Sequence, residues 1–312
     1  MKPLYIVEPG FVGRDQNSIL FENDIVKRRY PVKDTDSVFF LSEVTINTKS
    51  LSLFSKDEIP LHFFSFSGNY KGTFWPEKNR DGKLLLAQCK SFEKRECFAR
   101  EFVFGSIHNM RKILLKYKIR DFPEKLEEYK HNIPKEIKSI LAHEALARKI
   151  YYKGLRHIIK EKEFKFVKRS YNPPEDRVNA LMSFLNVLLY GSILSEVYKT
   201  RLDPLISYLH EPCQRFSLQY DIADIFKPII VDRLLFSLIN KRIVKEDDFE
   251  GLRLKKDSLK KVIKSFEERL NETVRFSEYE VFSYRFIIRK ECLKIINDIE
   301  KGNKYKSFKM WW

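Results

Sequence analysis

One histidine and two aspartates lie close together in the second half of the chain, and their chemistry is the first pointer to function. His210 lies in a turn-like part of the segment LDPLISYLHEPCQRFSLQYDIADIFKPIIVDR, which runs from Leu202 to Arg233. Asp221 and Asp224 follow three residues apart on a predicted helix, so both carboxylates lie on one helix face. A neutral imidazole and carboxylate oxygens together suit a divalent cation such as Mg²⁺ or Mn²⁺. The alternative is that the two aspartates only compensate the dipole of their helix.

A glutamate lies on the apolar side of an earlier predicted helix, in PKEIKSILAHEALARKIYY. The apolar stripe of this helix consists of Ile137, Ile140 and Leu141, and Glu144 is the next residue on the same face. A carboxylate in such a position is costly to bury unless it is paired or binds a metal ion. Arg148 lies one turn further along and offers a plain i, i+4 ion pair as the alternative to a ligand role.

The elements that carry these residues are predicted from hydrophobic periodicity. Residues 1–76 contain short β-branched and aromatic segments between turn signals, which predicts a β-rich domain with one short helix at 44–56. Residues 77–83 are polar and predict a linker. From 84 to 312 the apolar residues recur at spacings of three and four, which predicts helices. The predicted fold class is α+β and multidomain, with a small N-terminal β-rich domain followed by a larger all-α catalytic domain.

Pro228 is expected to interrupt the helix that carries the two aspartates. Proline lacks the N–H group that would bond to the carbonyl four residues earlier, here that of Asp224. A straight, continuous helix through residues 224–232 would contradict this expectation. For the apolar C-terminal segment KMWW three alternatives stay open, namely docking on the helical domain, on a partner or on nothing, with packing as the default expectation.

The positive charge of the chain is concentrated in its second part. The net charge is +16; residues 1–90 hold 13 Lys and Arg against 11 Asp and Glu, whereas residues 91–312 hold 46 against 32. A basic domain attracts polyanions, most often nucleic acid. Lys165, Lys168 and Arg169 of the basic segment, and Arg215, are the candidate contacts to DNA phosphates. The alternatives are a solvated, charged helix face and a lysine-rich soluble surface.

Several classes of protein are excluded by composition. The four cysteines form no CxxC pair, which argues against a zinc ribbon or a disulfide framework and fits a reducing cytosol. The opening MKPLYIVEPG does not have the pattern of a signal peptide. No segment is expected to approach the length of a membrane span. The chain is therefore predicted to be cytoplasmic and to make no contact with a membrane.

Three blocks of the sequence resemble the CRISPR-associated adaptation integrase, the endonuclease-like subunit that inserts new spacers into a CRISPR array. The first block is ILAHEALARKIYY around Glu144. The second is FKFVKRSYNPPEDRVNALMSFLNVLLY, with paired prolines, Asp176 and Asn179. The third is the segment from Leu202 to Arg233, with Leu-Asp-Pro, Leu-His and Ser-Leu-x-x-Asp-x-x-Asp. The resemblance extends over the whole chain.

The resemblance implies a site and an activity. Glu144, His210 and Asp224 would bind Mg²⁺ or Mn²⁺, with general-base duty as a lesser alternative for His210, and Asp221 would belong to the same catalytic site. The enzyme would be a metal-dependent DNA endonuclease and integrase, in which a 3′-OH attacks a phosphodiester of the repeat by transesterification. No nucleophilic side chain is then needed.

The resemblance also implies partners. The protein would form homodimers through its β-rich domain and assemble with a small ferredoxin-like CRISPR-associated protein on double-stranded DNA, both spacer precursor and repeat. DNA binding would be independent of sequence. Two other functions stay open: a structure-specific DNase that resolves branched DNA with water in place of the 3′-OH, and a non-catalytic DNA-binding scaffold.

Overall fold

The structure, a computed structural model, divides into two compact units, Met1–Asp81 and Gly82–Trp312. It describes residues 1–65, 68–77, 81–171, 173–212, 215–276 and 278–312. The boundary between the units lies within the predicted linker at 77–83, of which residues 78–80 are outside the described part. The protein is α+β, with a β-sheet region first and a predominantly helical region after it, as predicted.

Among its described residues, the first unit contains two four-stranded sheets, one α-helix and a short 3-10 helix at Val32–Asp34. Its elements in chain order are β1 (Lys2–Ile6), β2 (Gly10–Asp15), β3 (Ser18–Glu22), β4 (Lys27–Pro31), β5 (Thr35–Phe40), β6 (Val44–Ile46), α1 (Thr48–Lys56), β7 (Leu61–Phe64) and β8 (Tyr70–Phe74). The sheet orders are β1–β5–β7–β8 and β4–β3–β2–β6. Strands β1, β5 and β7 run parallel, and β5 is buried along its whole length, as expected of a strand covered on both faces.

The predicted helix at 44–56 begins later than expected. Residues Val44–Ile46 pair in parallel with β2 as strand β6, so only Thr48–Lys56 is helical. Asn47 marks the start of α1, because its side chain accepts a hydrogen bond from the backbone N–H of Ser50 at 3.0 Å. Leu53 and Phe54 of α1 then pack into the core of this unit.

The second unit is built mainly from helices. They are α2 (Gly82–Ser91), α3 (Arg95–Lys116), α4 (Pro123–His131), α5 (Ile137–Leu155), α6 (Arg177–Lys199), α7 (Leu218–Lys227), α8 (Arg233–Asn240), α9 (Lys256–Asn271) and α10 (Tyr284–Lys301). Two short hairpins, which were not predicted, join some of them: β9 (Phe249–Glu250) with β10 (Arg253–Leu254), and β11 (Thr273–Arg275) with β12 (Val281–Ser283). Strands of two or three residues are too short to give a periodic signal in the sequence.

Helix α6 is the apolar central helix of this unit. It has 23 residues and a mean hydropathy of 1.5 over its most apolar stretch, and among the described residues it alone is long and apolar enough to cross a membrane. The prediction that no segment approaches that length was therefore wrong. However, 72% of that stretch is buried inside the protein, as in the core helix of a soluble domain.

The helix that carries the two aspartates is interrupted at Pro228, as predicted. Helix α7 ends at Lys227, and a π-helical turn, Pro228–Asp232, precedes α8. Buried side chains from other helices bond to carbonyl groups around this turn. Asn109 Nδ2 donates to the carbonyl of Ile225 at 2.9 Å, and Arg269 Nη2 donates to the carbonyl of Ile229. Turns of this type concentrate at functional sites in proteins.

Candidate functional site

The turn that contains His210 is held by the carboxylate of Asp221. This carboxylate is fully buried and accepts hydrogen bonds from the backbone N–H groups of Tyr208, Leu209 and His210 at 2.6, 2.9 and 3.0 Å. It also lies 2.7 Å from His210 Nδ1. Because an ionised carboxylate can only accept, Nδ1 carries the proton, and the neutral ring has its lone pair on Nε2. Asp221 thus fixes both the orientation and the tautomer of His210.

Glu144 and Asp224 come from different helices and share one guanidinium group. Arg148 Nε donates to Glu144 Oε1 within α5, so the i, i+4 pair considered from the sequence is present. The same side chain reaches α7, where Arg148 Nη2 lies 2.8 Å from Asp224 Oδ1. Lys227 Nζ donates to the same Asp224 oxygen at 2.7 Å. All four side chains are largely buried.

The charges of this cluster support one another. Burial by itself would raise the pKa of Asp224, but Arg148, Lys227 and His210 lower it to about 2. Burial would lower the pKa of Arg148, and the carboxylates of Asp224 and Glu144 instead raise it well above its usual value. Burial by itself would lower the pKa of His210, but the hydrogen bond that His210 donates to Asp221 and the charge of Asp224 raise it overall. The mutual influence of His210 and Asp224 links the histidine turn to the carboxylate cluster.

The residues fit a divalent cation by donor type. Within the described parts of the chain, no three His, Cys, Asp or Glu side chains lie close enough together to hold a metal ion. Two carboxylates and an imidazole are nevertheless ligands that Mg²⁺ and Mn²⁺ accept. In this structure the Arg148 guanidinium supplies the positive charge between Glu144 and Asp224. The two carboxylates therefore meet at a position that the positively charged Arg148 side chain occupies.

The candidate DNA contacts differ in their surroundings. Lys165 and Arg215 are exposed, and exposed Lys168 lies 3.3 Å from Glu175. Arg169 is instead engaged inside the protein: it donates to Asn179 Oδ1 at 2.9 Å and to Ser183 Oγ at 2.8 Å. These bonds hold the segment before α6 in place, so Arg169 has a structural task whether or not it contacts DNA.

Sequence reasoning missed two features of the site. The first is Lys227, the second cation on Asp224; its i, i+3 spacing in DIADIFK was a usable signal. The second is the orienting role of Asp221, which depends on a chain reversal that places residues 208–210 over the start of α7. No local sequence pattern reveals a contact of that kind.

Comparison with known proteins identifies close relatives of the chain. The sequence profile of the family described as "CRISPR associated protein Cas1" matches residues 4–268. The "CRISPR-associated endonuclease Cas1" of Fusobacterium nucleatum is 38% identical over 329 residues, which cover 100% of this chain and 97% of that relative. Among solved structures, a Cas1 protein from Thermotoga maritima, TM1797, is 35% identical with a TM-score of 0.90, covering 98% of this chain and 99% of that one.

Two more distant structures share the fold. A casposase bound to integration product has a TM-score of 0.84 at 19% identity, covering 99% of this chain and 93% of the casposase chain. A chain of a Cas6-RT-Cas1–Cas2 complex has a TM-score of 0.86 at 17% identity. The match covers 99% of this chain and 36% of the chain in the complex.

Proposed function

The chain belongs to the CRISPR associated protein Cas1 family, and on that basis we propose that it is a metal-dependent DNA endonuclease and integrase that inserts new spacers into a CRISPR array. The observation that carries this proposal is the meeting of Glu144 and Asp224, from α5 and α7, at one guanidinium group. Two residues 80 positions apart in sequence thereby contribute carboxylates to one place.

Each residue has a proposed role. Glu144 and Asp224 would hold Mg²⁺ or Mn²⁺ as carboxylate ligands, and His210 would be the imidazole ligand, with Nε2 as its free ring nitrogen. Asp221 is a positioning residue, since its carboxylate accepts the Nδ1–H of His210. A histidine whose second ring nitrogen is fixed in this way keeps the tautomer that a metal ligand needs.

The reaction is an in-line displacement at phosphorus. The 3′-oxygen of the incoming strand forms a bond to the phosphorus of the repeat, and the bond to the departing 3′-oxygen breaks. A divalent cation held by Glu144, His210 and Asp224 would lower the pKa of the attacking hydroxyl and neutralise charge on the phosphoryl oxygens. The hydroxyl proton passes to solvent, and the departing oxygen takes a proton in return, so no residue of the chain is consumed.

The basic helical unit is proposed to bind the DNA backbone without reading its sequence. Exposed Lys165, Lys168 and Arg215 are the candidate contacts, and Arg169 contributes by ordering the segment between them and α6. The casposase structure with its integration product supports a DNA substrate, and the Cas1–Cas2 complex supports a CRISPR-associated partner protein. We further propose that the partner is ferredoxin-like and that the chain forms a homodimer through its β-rich unit.

A cytoplasmic location without membrane contact is also proposed. It is supported by the burial of α6 inside the helical unit. The cysteines agree with it, because Cys89, Cys97 and Cys292 are free thiols.

Joining of a short duplex with 3′-OH ends into supercoiled plasmid tests the proposal. We expect covalent joined product that requires Mn²⁺ or Mg²⁺, and loss of product in Glu144→Ala and Asp224→Ala while DNA binding persists. Cleavage without any joined product, with the partner protein present, would favour the structure-specific DNase. DNA binding with neither joining nor cleavage would favour the non-catalytic scaffold.

A further inference from the structure

A cavity with a cationic wall lies in the second unit, beside the π-helical turn. Its volume is about 450 Å³, within the range of small-molecule sites. Helices α8 and α9 and the C-terminal end of α3 form it, with lining residues that include Tyr117, Arg233, Lys241 and Arg269. Glu268 and Glu272 are the acidic residues of the lining.

Positive charge at this cavity exceeds negative charge. Arg269 is paired with Glu272, and Glu268 lies 4.0 Å from Lys264. Within the described part of the chain, no ion pair involves Arg233 or Lys241; Arg233 Nη1 donates to the neutral hydroxyl of Tyr284 at 3.5 Å. Lys116 lies next to the lining residue Tyr117 and likewise has no ion-pair partner among the described residues. Lys116 Nζ and the Arg233 guanidinium carbon lie over the Trp312 ring, at 4.1 and 5.2 Å from its centroid. A ring face attracts these cations without cancelling their charge.

Arg269 is the fixed centre of this group. It is only 4% exposed, and it is anchored by its bonds to Glu272 and to the carbonyl of Ile229 in the π-helical turn. Its Nε–H is buried and has no hydrogen-bond partner among the described residues. Burial lowers the pKa of Arg269, and the neighbouring charge of Arg233 lowers it further. Burial lowers the pKa of Lys116 too, with Arg233 and Arg269 acting in the same direction.

We propose that this cavity binds a phosphate group, carried either by a nucleic-acid strand or by a free nucleotide. Guanidinium groups recognise phosphate through charge-assisted hydrogen bonds from planar N–H donors, and two arginines share this wall. The hydroxyls of Ser237 and Ser265 add neutral donors, and the Tyr117 ring offers a face for a base or sugar. An uncompensated cluster of cations costs folding free energy, which a bound phosphate group recovers.

The site is separate from the carboxylate cluster but connected to it. Arg269 bonds to the turn that directly follows α7, and α7 carries Asp221 and Asp224. The nucleic-acid source rests on the proposed function, whereas the free-nucleotide source goes beyond it. Binding of phosphate compounds can be measured in EDTA, where no metal-dependent strand transfer takes place. Such a measurement therefore tests the cavity even if the proposed strand-transfer activity is wrong.

Thermal unfolding of the full chain tests the site with three probes: inorganic phosphate, thymidine monophosphate, and an oligodeoxythymidylate of about 15 nucleotides. We expect each bound probe to raise the melting temperature above that in sodium chloride of equal ionic strength, because it binds only the folded state. In the double variant Arg233→Gln, Lys241→Gln the apparent affinity for the probes should fall about tenfold. The control Lys301→Gln, Lys304→Gln removes two exposed charges outside the cavity and should bind as the parent does.

The pattern of probe binding distinguishes a nucleic-acid strand from a free nucleotide as the ligand, and both from a cavity that binds no phosphate. Tight binding by the oligonucleotide only, lost in the cavity variant, assigns the phosphate to a nucleic-acid strand; comparable binding by thymidine monophosphate assigns it to a free nucleotide. If Arg233→Gln prevents folding, Lys116→Gln with Lys241→Gln replaces it, since both side chains are exposed. Equal probe affinity in the parent, the cavity variants and the control would overturn the proposal.

Discussion

At the residue scale, the candidate site consists of side chains that already satisfy one another. Asp224 is held by Arg148 and Lys227, Glu144 by Arg148, and His210 by Asp221. Arg148 and Lys227 thereby lower the pKa of Asp224 to about 2, and Asp221 holds the imidazole of His210 in one orientation. On the proposed function, a divalent cation that binds here would replace the Arg148 guanidinium as the positive charge between Glu144 and Asp224.

The orienting role of Asp221 gives a test at this scale. In Asp221→Asn the amide no longer holds the Nδ1–H of His210 with a charged acceptor, so metal affinity and strand transfer should each fall about 10- to 100-fold. Metal titration of joining activity would measure both. Glu211→Gln is the matched control, since this neighbouring carboxylate is 75% exposed and pairs with Arg95 among the residues that the structure describes. Equal activity in Asp221→Asn and the control would contradict the role.

Arg148 provides a second residue-scale prediction. Removing it in Arg148→Gln leaves Glu144 and Asp224 without their shared cation, so the metal-free protein should lose about 3–5 kcal/mol of unfolding free energy. Mn²⁺ should restore more stability to this variant than to the parent. Thermal unfolding with Mn²⁺ and with EDTA measures the difference.

The control for that experiment is Arg242→Gln, which removes an exposed guanidinium near Glu161 and Glu163. It should lose little stability, and Mn²⁺ should affect it as it affects the parent. An identical response to Mn²⁺ in Arg148→Gln and the parent would mean that the guanidinium and the cation do not share a position.

At the element scale, α7 is held in place by helix α3 and by the C-terminal segment. Asn109 on α3 donates to the carbonyls of Ile225 and Phe308 at 2.9 and 3.2 Å, and accepts from the N–H of Met310 at 2.8 Å. The rings of Phe226 and Phe308 stack with their centroids 5.9 Å apart. The expected packing of the KMWW segment is thus confirmed for Met310, which is fully buried, whereas Trp311 is 56% exposed.

Loss of the Asn109 side chain should weaken this support. Asn109→Ala leaves two buried carbonyls and one buried N–H without their partner, so the unfolding free energy should fall by about 3 kcal/mol in urea denaturation. The control Asn271→Ala removes an exposed amide that donates to the carbonyl of Glu267, and the change should stay within about 0.5 kcal/mol. Similar losses in both variants would show that Asn109 gives α7 no special support.

Local sequence signals foresaw some elements and missed others for identifiable reasons. The break at Pro228 was predictable, because proline lacks the N–H that an α-helix needs. Glu144 was found because a carboxylate interrupts an apolar stripe. The start of α1 was misplaced, because Val44–Ile46 is a strand only through its pairing with β2. The bonds of Asn109 to Phe308 and Met310 cross 199 and 201 residues, and sequence patterns carry no information at that range.

At the scale of the whole molecule, buried ionisable groups make stability depend on pH. Burial raises the pKa of Asp232 to about 6, although a hydrogen bond from Tyr151 and the charge of Arg148 act in the other direction. In the unfolded chain the same carboxyl has a pKa of about 3.9. The native state therefore holds this proton more tightly, and the stability that the proton confers is complete below pH of about 4 and lost as pH rises through about 6.

The variant Asp232→Asn should not lose stability as pH rises, because an amide stays neutral at every pH. At pH of about 7.5 the variant should be more stable than the parent by up to about 3 kcal/mol, and near pH 4 the two should be about equal. Urea denaturation across this range measures the difference. Asp257→Asn, at an exposed position of α9, should show no such dependence. A parent that gains stability relative to Asp232→Asn as pH rises would contradict the burial argument.

The most direct test of the account is the binding of Mn²⁺ to the full chain by calorimetry. Glu144, His210 and Asp224 are taken to form one cation site from α5, the histidine turn and α7. We therefore expect one Mn²⁺ site whose affinity falls at least about tenfold in each of Glu144→Ala, His210→Ala and Asp224→Ala, and stays unchanged in Glu211→Ala. Undiminished Mn²⁺ affinity in the three variants would contradict the central claim.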